Sequence, residues 1–209
     1  MRIKLLLPLA CLILLSGAGA VRGQGVPTLS VQGQPTITGH LGGSVSVNNG
    51  TGSGPFTVQV NFGELSPINK NQLVKVVIPI RLLSISSYQI TASFTSPVIA
   101  DPNALRSSDI GVGIQNLQKI IGVARCPGSI QAPFANDPAL TFSVNSTTGR
   151  ASYQSSLLNI GTSTALLRGP GLMQASFNLI LVVPPGFYAP GSTTFTITLA
   201  ISSGSNFTC

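Results

Sequence analysis

Apolar residues in this chain recur at every second position. Phe56, Val58, Val60 and Phe62 share one parity, and Thr57, Gln59 and Asn61 take the other. Such alternation turns one face of a pleated strand to a core and the other to water. Phe195, Ile197, Leu199 and Ile201 alternate with Thr194, Thr196, Thr198 and Ala200 in the same way. Tyr88, Ile90 and Ala92 alternate with Gln89, Thr91 and Ser93. Ala175, Phe177, Leu179, Leu181 and Val183 mark a longer strand, whose other face turns apolar at Ile180 and Val182. The run 73–83 is apolar on both faces apart from Lys75 and Arg81, which predicts a central strand. Pro79 inside it has no N–H to give a ladder, so an edge or a bulge is expected there. Shorter apolar runs at 45–47, 110–114, 120–123, 140–144 and 156–160 predict further strands.

Turn chemistry separates these runs: Asn49-Gly50, Gly54-Pro55, Asp101-Pro102, Pro127-Gly128, Asp137-Pro138, Gly169-Pro170-Gly171 and Pro184-Pro185-Gly186. Many short strands punctuated by Gly and Pro predict an all-β antiparallel sandwich or barrel. No helix is required; Asn103 to Arg106 can form one short turn. Residues 21–39 stand apart as an extended arm rich in Gly and Gln. Leu29, Val31, Gly33, Pro35 and Ile37 share one parity there. This apolar face has no local partner, so its own domain or a neighbouring copy must cover it.

The start of the chain changes the picture of where these strands fold. Arg2 and Lys4 precede an apolar stretch through Leu15, and Ala18-Gly19-Ala20 supplies small residues for a peptidase. Residues 1–20 read as a secretory signal peptide. The protein is therefore expected to be exported, to the periplasm, the cell surface or the medium. Residues 21–39 then form the arm and 40–209 a single sandwich domain. The apolar run 179–183 is strand-sized, and no stable membrane span is expected.

Charge narrows the partners. The chain has 11 basic and 4 acidic residues. Its cations are scattered, with no stripe and no interleaved aromatics, so nucleic acid is not an expected partner. Beyond residue 20 two cysteines remain, Cys126 and Cys209. An oxidising compartment allows them to pair within one chain or between two. The acids are Glu64, Asp101, Asp109 and Asp137, and the one histidine is His40. Asp101 and Asp137 precede prolines in turns. No nucleophile elbow, paired carboxylates or metal-ligand spacing joins these groups, so we expect no enzyme and no cofactor.

Two stretches carry a resemblance. Val60-Asn61-Phe62-Gly63-Glu64-Leu65-Ser66-Pro67 is similar to a Phe-Gly turn followed by Pro in the spore coat protein U and archaic chaperone–usher pilin group. The segment 183–199, with Pro184-Pro185-Gly186-Phe187-Tyr188 before an alternating strand, resembles that group's C-terminal pattern. Ser87 to Ser93 resembles its early Tyr-x-Ile strand. The group's early cysteine pair is missing, and residues 202–209 run on past the last strand. The resemblance implies an immunoglobulin-like sandwich with an incomplete or donor-complemented strand. It implies an exported, non-enzymatic, adhesive fimbrial subunit. Its partners would be copies of itself or related subunits, a periplasmic chaperone and an usher. Val26, Leu29, Val31, Gly33 and Ile37 would line the donor strand, with Gly33 where a tight groove excludes a side chain. The other expectation is a self-contained secreted sandwich that binds carbohydrate or protein.

Overall fold

The computed structural model describes residues 26–39, 43–49, 54–64, 73–95, 101, 104–134, 137–138, 143–144, 147, 150–153, 155–184 and 192–209. Two antiparallel sheets hold most of the strands. The first contains β1 (Thr28–Val31), β2 (Thr36–Thr38), β5 (Val74–Ser84), β7 (Gly111–Gly122) and β12 (Met173–Val183). Its order is β1-β5-β12-β7, and β2 lies on the same edge of β5 as a continuation of β1. The second contains β3 (Ser44–Asn48), β4 (Phe56–Glu64), β6 (Tyr88–Thr95), β8 (Ser129–Ile130), β11 (Thr164–Gly169) and β13 (Ser192–Ser203). Its order is β3-β4-β13-β6-β11-β8. A small ribbon pairs β9 (Ser143–Val144) with β10 (Ala151–Ser152).

The period-two faces become the two inner walls of this sandwich. Phe56, Val58, Val60 and Phe62 of β4 are buried, as are Phe195, Ile197 and Leu199 of β13. From the other sheet come Val74, Val76, Ile78, Ile80 and Leu82 of β5 and Ala175, Phe177, Leu179 and Leu181 of β12. Phe62 meets Phe195 edge to face with ring centres 6.1 Å apart. β12 is buried on both faces from Leu179 to Val183, as its loss of alternation predicts.

Pro79 sits where the sheet has room for it. β1 pairs with residues 80–83 of β5 and β2 with residues 75–77, so the arm leaves the ladder opposite Pro79. The Pro79 carbonyl, which faces the arm, accepts the Gln32 N–H at 2.8 Å. The proline thus lies in a five-stranded sheet at a local break in its neighbour.

Some expectations shift. The runs 110–114 and 120–123 belong to one strand, β7, kinked by two register shifts against β12. Residues 156–160 are not a strand. Leu157–Ile160 form α1, one helical turn that buries Leu157 and Ile160 and exposes Leu158. The i and i+3 spacing of the two buried residues suits a helix and not a pleat. Of the short turn expected at 103–106, residue 103 lies outside the described residues; the Ala104 N–H donates to the Asp101 carbonyl at 3.2 Å, and a 3-10 turn follows at Ser107–Asp109. Of 140–144, residues 143–144 form β9, and 140–142 lie outside the described residues. Among the described residues no helix is long and apolar enough to cross a membrane. The stretch 1–20 lies outside them.

Candidate functional site

The expected arm is part of the first sheet. Leu29 pairs with Leu82 and Ile37 with Val76. Leu29 is buried, Val31 and Ile37 are half-buried against the core, and Val26 is 53% exposed. The Val31 N–H also donates to Asn49 Oδ1 at 3.0 Å, which ties β1 to the end of β3. Gly33 has φ 110° and open space where a Cβ would stand. A backbone turn, not a tight groove, selects glycine at that position. The strands that fill the sandwich most completely are β4 and β5, whose four and five inward side chains are each no more than 1% exposed.

The acidic side chains are spread out. Asp109 is 2% exposed and accepts from the Arg106 backbone N–H at 2.9 Å and from Arg150 Nη1 at 2.6 Å. Burial pushes its carboxyl above the usual range, and the Arg106 N–H and the Arg150 guanidinium oppose that rise. Asp137 pairs with Lys75 of β5. Asp101 is exposed, Glu64 ends β4, and His40 lies outside the described residues. Among the described residues, no three His, Cys, Asp or Glu side chains gather where they could hold a metal ion.

Cys126 and Cys209 are bonded, with Cα atoms 5.8 Å apart. The bond returns the C-terminal tail onto the β8 end of the second sheet. Gly204 N–H donates to the Ser87 carbonyl at 2.7 Å and starts that return. Between the tail and the sheet lies a groove of about 250 Å³. Gln89, Gln131, Arg168 and Asn206 line it, with the ring of Phe207 on the tail side and Tyr88 at its base. Tyr88 is buried, and its hydroxyl donates to the Pro127 carbonyl at 2.6 Å. Burial pushes that phenol well up, so it stays neutral. Planar amides, a guanidinium and a half-buried phenylalanine ring suit hydroxyl-rich ligands, which need in-plane donors and acceptors plus an apolar face. Sequence reading did not find this groove. Its walls are 115 residues apart along the chain at Gln89 and Gly204.

A second surface lies at the end of the first sheet where β5 stops, β12 starts and β7 stops. Leu83, Ile85, Ile120, Ile121, Val123 and Leu172 are there between 44% and 79% exposed. Five of them, all but Ile120, bound an open depression of about 390 Å³. Three loops meet at it. Leu172 N–H donates to the Ile85 carbonyl at 3.1 Å, and Val123 N–H to the Leu172 carbonyl at 3.2 Å. Gly171 and Gly122 allow this approach, because a Cβ on either would stand 2.3 Å from the Ile85 or the Leu172 oxygen. Leu172 itself holds φ 55°, a left-handed conformation that costs a leucine roughly 1–2 kcal/mol.

Comparison of the chain with protein-family models, with curated proteins and with solved structures gives no match.

Proposed function

We propose that the protein is an exported, non-enzymatic β-sandwich that works as a self-contained binding module, taking a short hydroxyl-rich ligand of the carbohydrate class in the groove under its tail. The observation that carries this reading is the groove itself. It gathers Gln89, Gln131, Arg168, Asn206 and Phe207 on a platform that a disulfide holds in place. Self-containment is supported by the arm, which pairs with β5 of its own chain. Titration of the purified chain from Val21 with neutral and acidic oligosaccharides, followed by amide-resolved NMR, tests the reading. Shifts centred on Gln131 and Arg168, weakened about tenfold or more by Arg168→Ala, are the expected result. Saturating sugar that leaves those amides unmoved refutes it.

A pilin-like subunit assembled by strand exchange is the second reading, and one observation favours it. The arm is held at a sheet edge with Leu29 as its one buried hydrophobic side chain in β1, a hold that a neighbouring copy could replace. Deleting residues 21–38 separates the two. A self-contained module loses stability and stays monomeric. A strand-exchanging subunit loses polymers and regains stability when a peptide of residues 26–38 is added.

A further inference from the structure

We propose that the apolar tip formed by Ile85, Ile121, Val123 and Leu172 is a docking surface for an anionic phospholipid bilayer. This inference does not rest on the groove reading. The tip is built, not left over. Three loops from distant parts of the chain are joined there by the two hydrogen bonds through Leu172, and glycines on two of the loops permit the contact. A left-handed position normally falls to glycine or asparagine. Here it carries a leucine that is 58% exposed. A strained backbone that presents an aliphatic side chain to water has no stabilising role in the isolated fold.

Charge selects the partner. Lys119 Nζ donates to the Gly122 and Ala124 carbonyls at 3.5 and 2.8 Å, which sets its cation on the loop that carries Val123. Arg81 donates to Gln174, which lines the depression, and exposed Arg125 follows two residues after Val123. None of the segments 81–87, 117–125 and 170–174 contains an acidic residue. A second copy would bring this cationic rim against an identical one. An anionic lipid surface complements both features, with headgroups at the three cations and acyl-chain boundary at the aliphatic side chains.

The test is vesicle co-sedimentation of the chain from Val21, with phosphatidylcholine alone and with phosphatidylcholine–phosphatidylglycerol mixtures. Binding to the mixed vesicles that weakens as salt is raised is expected. Leu172→Gly suits the left-handed backbone, so it should keep or raise the melting temperature while it lowers binding. Together with Ile121→Ser and Val123→Ser it should reduce partitioning at least about tenfold. No binding of the unaltered chain to anionic vesicles at low salt overturns the proposal. Equal binding by the folded triple variant overturns it too. So does a dimer of the unaltered chain that the triple variant abolishes, which would assign the tip to a second copy.

Discussion

Breaking the Cys126–Cys209 bond should cost this protein much of its stability while leaving both sheets assembled. The two residues are 83 apart in sequence. Closing a loop of that length in the unfolded chain removes about 15 cal/mol/K of entropy, which at room temperature is about 4.5 kcal/mol. The folded chain gains no comparable freedom, because the tail is also held by Gly204 and by β13, whose Ser203 pairs with Tyr88. The perturbation is the double variant Cys126→Ser, Cys209→Ser, and the assay is urea unfolding of the chain from Val21 beside the unaltered protein. A loss of about 4.5 kcal/mol corresponds to a fall of roughly 10–15 °C in melting temperature for a domain of this size. Far-ultraviolet circular dichroism below the transition should not change. The groove lies between the tail and β8, so ligand affinity should fall more than the fold does. A loss below about 1 kcal/mol in non-aggregating samples would refute the loop-entropy argument. A dimer on non-reducing gels would refute the intrachain pairing.

Two further outcomes follow from Asp109. Arg150→Ala should destabilise the fold by about 3–5 kcal/mol, read as a shift in urea midpoint, because it leaves a carboxylate 2% exposed without its guanidinium. The pH dependence has a definite sign. Asp109's folded pKa lies above its unfolded value, so its contribution to stability is present at acid pH and lost as pH rises through the folded pKa. Urea midpoints taken from acid to neutral pH should therefore decline less in Asp109→Asn than in the unaltered chain, and a steeper decline would contradict the burial argument.

The strands that can be read from the chain are those whose burial pattern is local. β4, β6, β12 and β13 all fall where alternation places them, because each buries one face over at least three pleats. β11 is hidden by its own geometry. A register shift between Ala165 and Leu167 buries Leu166 and Leu167 side by side and erases the period. α1 is too short for a helical period to emerge, so Leu157 and Ile160 pass for a strand. The apolar character of Ile121, Val123 and Leu172 is plain in sequence, but not that they meet. Residues 120–123 register only as a strand, and the hydrogen bonds that join them to Ile85 and Leu172 span separations no local pattern encodes. The disulfide partners could be named because two cysteines allow one intrachain pairing, whereas the groove their bond closes required the fold.

The position of β13 also bears on when this chain can fold. β13 lies between β4 and β6 and pairs with both, yet it follows every other strand of the described residues along the chain. Until it emerges, the larger sheet is in two pieces and the inner side chains of β4 have no neighbour on that edge. Such wiring is dominated by long-range pairing, which slows closure. The nascent polypeptide thus keeps the inner face of β4 unpartnered on that side until β13 has been made, and the two halves of the larger sheet can join only then.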